Sequence, residues 1–131
     1  MMRPFYLLLV FLSLCFYCHA QIRDEEVVLL EKLDAVSHSK SPASHFAELY
    51  FRTTARIAQT FLYADEQAHT LMQRMETRFA ALFFNAVEAY REGNPVPIEW
   101  KTYFSNEKFS ELQYQLLGIN AHINGDIWQA L

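Results

Sequence analysis

The chain has 131 residues, of which 52% are apolar and 15% aromatic, and its net charge is −4. This length supplies one hydrophobic core and not two. The negative charge argues against binding of nucleic acids or anionic membranes by charge alone. Three glycines and four prolines leave little material for turns. Because the chain is rich in residues that favour helices, we predict an all-α fold, a small bundle of four to five helices.

The first twenty residues have the pattern of a secretory signal peptide. Arg3 supplies a positive charge, residues 5–16 are apolar except for Ser13, and the residues that end at Ala20 suit cleavage by a signal peptidase. The apolar stretch is shorter than the roughly 20 residues that cross a bilayer. We predict cleavage after Ala20 and export of a single domain, residues 21–131, to the periplasm or the cell exterior. The alternative is a membrane anchor formed by an uncleaved signal.

Two amphipathic segments follow the predicted signal. Residues 24–36 are predicted as a first helix, because acidic residues begin the segment and leucines recur on one side. After a polar linker, Ser41 is predicted as the N-cap and Pro42 as a first-turn residue of a second helix that reaches Phe61. The apolar side of this second helix is predicted to contain Phe46, Tyr50, Thr53, Ile57 and Phe61.

A longer third helix is predicted over residues 65–92. Gly93 is placed to cap its C-terminus, and Pro95 cannot continue it. Aromatic residues at helical spacing are expected to be core rather than cofactor ligands. The predicted apolar stripe consists of Met72, Met75, Phe79, Phe83, Ala86 and Tyr90.

The final segment is predicted as a short turn and a last helix. The turn covers residues 97–104 and carries Trp100, and Ser105 or Asn106 is predicted to cap the helix. Its apolar stripe is predicted to face the core and consists of Phe109, Leu112, Leu116, Ile119, Ile123 and Ile127. Because the stripe continues to the last turn, we expect either further C-terminal helices or self-association through this helix.

A candidate site lies on this last helix. His122 and Asp126 are four residues apart on the shoulder of the stripe, and Gly118 and Gly125 lie beside them. An imidazole and a carboxylate at this spacing can bind one cation from one helix face. Each glycine costs about 1 kcal/mol relative to alanine inside a helix, so the pair indicates a packing or functional requirement.

Two other histidine and acid pairs have the same spacing. Asp34 and His38 border the polar linker, and we predict a solvated surface contact. Asp65 and His69 begin the third helix, where Asp65 is either an N-cap at an exposed end or a metal ligand. In the second case Asp65 and His69 would face the pair on the last helix, and the four side chains would form a zinc or other transition-metal site.

Three segments of the chain resemble a known protein family. LLGINAHINGDIWQAL, RFAALFFNAVEAY and PIEWKTYF are similar to a bacterial family of unknown function (domain of unknown function 5995). That family is marked by a Gly-hydrophobe-Asn-Ala-His-Ile-Asn-x-Asp segment after a helix rich in Phe and Tyr and a turn with Trp. The similarity covers residues 61–131, and it implies an all-helical domain without an established activity.

The segment HINGDIWQAL also looks like the HxxGDxHQPLH helix of the zinc-dependent phospholipase C and P1 nuclease superfamily, which are secreted all-α phosphodiesterases. This resemblance implies that His122 and Asp126 are metal ligands. The chain departs from the pattern at Trp128 and Ala130, where the superfamily has histidine and proline. Gln21 would also tend to cyclise and remove the N-terminal amine that those enzymes use as a ligand.

Two functions follow from these observations. The first is a metal-dependent phosphoric ester hydrolase, or a relative, that binds zinc through His122 and Asp126, with Asp65 and His69. The second is a non-catalytic or incomplete exported helical module, in which His122 and Asp126 hydrogen-bond within a close helix pair that the glycines permit. We adopt the second as the prediction, because the hydrolytic pattern is incomplete. Nucleophilic catalysis has little support, since no cysteine follows the signal and no serine lies in a GxSxG turn.

Overall fold

The computed structural model of the chain describes residues 25–61, 64–105 and 107–131. Within these ranges the chain forms helices and no strand, so the all-α prediction is confirmed. The predicted signal peptide, residues 1–20, lies outside the described residues. A search of the described residues for a helix with the length and apolarity of a membrane span found none.

The first two helices lie close to their predicted bounds. Helix α1 covers residues 25–37 and buries Leu29 and Leu33. Helix α2 is Ala43–Phe61, and the hydroxyl of Ser41 accepts a hydrogen bond from the N–H of Ala43 before its first turn. The apolar side of α2 agrees with the prediction at Phe46, which is buried, and at Tyr50, Ile57 and Phe61, which are partly buried. Thr53, however, is exposed, and the neighbouring Thr54 is buried in its place.

Helix α3, Glu66–Glu92, begins and ends at the predicted caps. The side chain of Asp65 accepts a hydrogen bond from the N–H of Ala68. Gly93 closes the helix with a φ of 71°, in the left-handed region that favours glycine. The most buried residues of this helix are Ala80, Phe83 and Ala86.

A short 3-10 turn, Ile98–Trp100, follows α3, and Tyr103 just after it contacts the start of α2. Trp100 and the following Tyr103 are completely or almost completely buried. The hydroxyl of Tyr103 donates to the carbonyl of Pro42 at 2.7 Å and accepts from the N–H of Phe46 at 3.3 Å. These two bonds hold the turn against the first residues of α2.

The last part of the chain is one helical run in which an α-helix, a π-helical segment and a second α-helix follow one another. Helix α4 is Glu111–Ile119, a π-helical segment covers Asn120–Asp126, and helix α5 is Ile127–Ala130. The N-cap is Ser110, in a capping box with Gln113, and not Ser105 as predicted. The alternative predicted cap, Asn106, lies outside the described residues. The π-helical segment was not predicted.

The direction predicted for the apolar stripe of this run is wrong. Leu112, Leu116, Ile119 and Ile123 are 64%, 56%, 40% and 48% exposed. The buried side is instead small or polar and consists of Tyr114, Gly118, Ala121, His122, Asp126 and Ala130. Glycine and alanine permit a close approach of helices, so this side packs inward and the large aliphatic side chains point to solvent.

The packing of the helices places the π-helical segment at the centre of the protein. Helix α4 packs against α2, and the π-helical segment packs against both α3 and the 3-10 turn. Helix α5 also contacts α3. Side chains on the inner side of the π-helical segment therefore meet residues from three other elements.

Candidate functional site

The candidate site is a hydrogen-bonded trio inside the protein. His122 and Asp126 are only 2% and 1% exposed. The imidazole Nδ1 of His122 lies 2.9 Å from Oδ2 of Asp126. The indole N–H of Trp100 donates to the same carboxylate oxygen at 3.0 Å. Two donors thus satisfy a buried carboxylate that would otherwise be costly to remove from water.

The protonation of His122 follows from this arrangement. Burial lowers the pKa of His122 below its ordinary value, although the hydrogen bond to Asp126 acts in the opposite direction. The imidazole is therefore neutral at pH 7. Because Asp126 accepts at Nδ1, we assign the single ring proton to Nδ1, which leaves a lone pair on Nε2.

Aromatic rings hold the imidazole in place. The ring of His122 stacks on Phe79 of α3, with centroids 3.5 Å apart and planes inclined by 10°. Tyr50 of α2 contacts it edge-on, with centroids 4.7 Å apart. Phe46 approaches in a similar way at 5.5 Å. The orientation of His122 is therefore fixed by both packing and hydrogen bonding.

The two glycines of the run allow neighbouring elements to pack closely around the site. A Cβ atom added to Gly118 would overlap the side chain of Phe46 on α2. A Cβ atom added to Gly125 would overlap the side chain of Glu99 in the 3-10 turn. Each glycine therefore permits a close approach that any larger residue would obstruct. This packing gives the physical reason for two glycines inside a helical run.

One side of the site carries polar atoms without partners. Nε2 of His122, Oη of Tyr50 and Oε1 of Glu76 are buried and have no hydrogen-bond partner among the residues that the structure describes. Burial and the carboxylates of Glu76 and Asp126 raise the pKa of Tyr50, so its hydroxyl stays protonated. Such unpaired groups cost about 1–3 kcal/mol each unless water satisfies them.

Glu76 borders a small groove between α1, α2 and α3. Burial, and secondly the nearby carboxylate of Glu26, raise the pKa of Glu76 to about 7. The groove has room for about one water molecule. Apolar residues line much of it, together with Glu26, His69 and Gln73. A carboxyl group that titrates near neutrality therefore lies at the junction of three helices.

The four predicted metal ligands occupy two different places. Asp65 caps α3, and His69 lines the groove. His122 and Asp126 bond to each other in the interior. Across residues 25–61, 64–105 and 107–131, no three His, Cys, Asp or Glu side chains are grouped so that they could hold a metal ion. The described residues therefore do not fit the predicted zinc site.

The third pair, Asp34 and His38, lies at the surface. Nδ1 of His38 and Oδ1 of Asp34 are 3.5 Å apart, and the side chains are 77% and 54% exposed. This agrees with the predicted solvated contact. The same residue types at the same spacing are thus buried in one helix and exposed in another.

Sequence reasoning missed three residues around His122. Trp100 was predicted in its turn but without a partner, and Tyr50 and Glu76 were not proposed as site residues. One available signal was chemical: a buried indole N–H needs an acceptor, and a buried carboxylate needs donors. That rule would have paired Trp100 with Asp126.

The comparisons with known proteins identify a family. Residues 24–131 match the family described as Family of unknown function (DUF5995). The chain belongs to this family. The match confirms the resemblance that the NAHIN segment indicates. No curated protein and no solved structure gave a match to this DUF5995 chain.

Proposed function

We propose that this DUF5995 protein is a non-catalytic exported module that binds an α-helix of a protein partner. The binding surface is the outer face of the C-terminal run, which we define as Leu112, Leu116, Ile119 and Ile123. The observation that carries the proposal is the exposure of these four side chains, between 40% and 64%. A contiguous apolar surface of this kind marks interaction sites on soluble proteins.

The spacing of the outer face suits a helical partner. Steps of four and three residues separate Leu112, Leu116 and Ile119 on α4, as in helices that pack in pairs, and Ile123 follows in the π-helical segment, where each turn contains more residues. Leucine and isoleucine at such positions insert between the side chains of a facing helix. The outer face therefore has the pattern of a two-helix interface rather than of a small-molecule pocket.

The buried trio supports this function by holding the run in one orientation. Trp100, His122 and Asp126 bond on the opposite side, and the close contact at Gly118 leaves α4 little freedom to rotate on α2. The outer face therefore cannot turn inward to bury its side chains. A surface that is already ordered loses less entropy when a partner binds.

A catalytic role has less support from the geometry. Substrate cannot reach His122 and Asp126 directly, because both are buried under aromatic side chains. One feature does resemble a metal ligand: Asp126 orients Nδ1 of His122 while Nε2 stays unpaired. A zinc ion bound there would still need further ligands, and the described residues do not group them at this place.

Site-specific photo-crosslinking in the producing cell tests the proposed function. A photoreactive residue at Leu116 should yield a discrete adduct with a polypeptide. The matched control is Leu71, which is 70% exposed and lies on another helix, α3. Adducts from Leu116 and not from Leu71 would support the function. No adduct from Leu116, or equal adducts from both positions, would overturn it.

A further inference from the structure

We propose that α1 is a pH-sensitive cover of the groove that it forms with α2 and α3. Helix α1 stays packed on the other two helices while the carboxyl group of Glu76 is protonated, and it opens when that group ionises beside Glu26. Because this movement lies within the fold, it is independent of any partner of the outer face.

Two carboxyl groups from different helices share the groove. Glu26 of α1 and Glu76 of α3 both line it, and it has room for about one water molecule. Ile57 and Phe61 of α2 and Met72 of α3 make much of the remaining lining apolar. So small a space holds too little water to screen two charges. Two ionised carboxylates would therefore repel each other across the contact between α1 and α3.

Glu76 is the group whose charge changes near neutral pH. Its Oε1 atom is buried and has no hydrogen-bond partner among the residues that the structure describes. Burial, and secondly the carboxylate of Glu26, raise the pKa of Glu76 to about 7. The closed groove thus favours the protonated group. As the pH rises through this value, ionisation favours a conformation in which water reaches the carboxylate.

The other titratable groups near Glu76 do not oppose this effect. His69 of α3 lines the groove, but an imidazole gains positive charge only towards acid and so does not neutralise the carboxylates at alkaline pH. On the side of α2, the hydroxyl of Tyr50 interacts with Glu76 and stays protonated, so it adds no charge. Among the described residues, no lysine or arginine lines the groove.

Helix α1 is the element of this junction that can open alone. It buries Leu29 and Leu33 against the rest of the core. Among the described residues, the side-chain hydrogen bonds at its C-terminal end are local and join Ser37 and His38 to the carbonyl of Asp34. A helix held by few contacts opens before the rest of a fold. Its opening would expose the apolar lining of the groove.

Hydrogen exchange of the full chain, followed by mass spectrometry from about pH 5.5 to about pH 8.5, tests this opening. Protection is corrected for the pH dependence of the intrinsic exchange rate. One unit of pKa difference changes an equilibrium tenfold, and the groove is partly open to water, so we expect the protection of α1 amides to fall by about tenfold. Amides at the centre of α3 should stay better protected than those of α1 at every pH.

Four variants identify the group that responds. Glu76→Gln should make the protection of α1 independent of pH in this range, and Glu26→Gln should weaken the dependence. The matched control is Glu31→Gln, because Glu31 is an exposed acid of α1 outside the groove, and it should behave as the wild type. His69→Gln should keep most of the dependence. Loss of the dependence in His69→Gln and not in Glu76→Gln would overturn the proposal.

Two results with the wild type would also overturn it. The first is a protection of α1 that stays constant across the pH range. The second is equal protection of α1 and the centre of α3, because the opening would then be unfolding of the whole protein. If circular dichroism shows that Glu76→Gln does not fold, Glu26→Gln decides: a dependence equal to that of Glu31→Gln would contradict the role of the paired carboxyl groups.

Discussion

Nδ1 of His122 lies 2.9 Å from Oδ2 of Asp126, and this contact is buried while large aliphatic side chains of the same helical run face solvent. The run is thus polar inside and apolar outside over part of its length. Such an arrangement costs less free energy where the inner polar groups satisfy each other. The indole N–H of Trp100 supplies a second donor to Asp126, whereas Nε2 of His122 has no hydrogen-bond partner among the described residues.

Asp126→Ala should destabilise the protein strongly. The change leaves the indole N–H of Trp100 and the imidazole N–H of His122 buried without an acceptor. Each unpaired group costs about 1–3 kcal/mol, so we expect a loss of about 2–6 kcal/mol. Urea unfolding followed by circular dichroism measures this loss.

The surface pair provides a matched control for that experiment. Asp34 and His38 have the same residue types and the same spacing but are largely exposed. Asp34→Ala should therefore change the free energy of unfolding by no more than about 0.5 kcal/mol. Equal losses for Asp34→Ala and Asp126→Ala would contradict a structural role for the buried trio.

Local patterns predicted the helices well where caps and periodicity agree. Helix α3 begins after Asp65 and ends at Gly93 because both residues form the caps that their chemistry favours. The last run was predicted in the wrong orientation, because hydrophobicity alone places leucine and isoleucine inside. The close packing of Gly118 against Phe46 instead buries the side of the run that contains the glycine, and the leucines and isoleucines lie on the other side.

The site was predicted only in part, for two physical reasons. The spacing of His122 and Asp126 indicates that they can bond, but burial depends on tertiary packing that the spacing does not encode. The π-helical segment Asn120–Asp126 has no recognised sequence period, so the sequence could not indicate its wider turn. The partner Trp100 is distant in the sequence, and only the chemical needs of indole and carboxylate connect them.

Gly118→Ala should destabilise the protein although alanine favours helices. Helix propensity alone would stabilise the variant by about 1 kcal/mol. The new methyl group would overlap Phe46, whose ring is enclosed by Tyr50, Phe83 and Trp100 and cannot move away. Overpacking of this kind costs about 1–3 kcal/mol, so we expect a net loss in urea unfolding.

Gly125→Ala is the comparison for that variant. Its methyl group would overlap Cβ and Cγ of Glu99, and rotation of that side chain cannot move Cβ away. We therefore expect Gly125→Ala to lose stability as well, because the backbone of the 3-10 turn or of the run must shift. A gain in stability for Gly118→Ala would show that the close contact with Phe46 relaxes without cost.

Zinc should not change the stability of the protein. A ligand that binds only the folded state raises the free energy of unfolding as its concentration rises. Because the described residues do not group the predicted ligands, thermal unfolding with added zinc should match unfolding with a chelator. His122→Ala should destabilise the protein equally in both conditions. Stabilisation by zinc in the wild type and not in His122→Ala would instead indicate a metal site at Nε2.

Glu76→Gln should stabilise the protein above pH 7 and have little effect near its ordinary pKa of 4.5. The raised pKa of Glu76, about 7, means that the fold favours the protonated carboxyl group. The protonated carboxyl group of Glu76 therefore contributes fully to the stability of the fold below pH 4.5, its pKa in the unfolded chain. This contribution is lost as the pH rises to 7. Glutamine stays neutral throughout and avoids this loss.

The direction of the pH effect separates Glu76 from His122, because the lowered pKa of His122 makes its contribution to stability fall as the pH is lowered. The fold favours neutral His122, so its contribution is complete above the unfolded value of 6.5 and falls as the pH is lowered through it. Urea unfolding at several pH values should thus show that the free energy of unfolding of Glu76→Gln rises relative to that of the wild type between pH 4.5 and pH 7. If Glu76→Gln follows the wild-type curve, the carboxyl group at the junction of α1, α2 and α3 is solvated rather than buried.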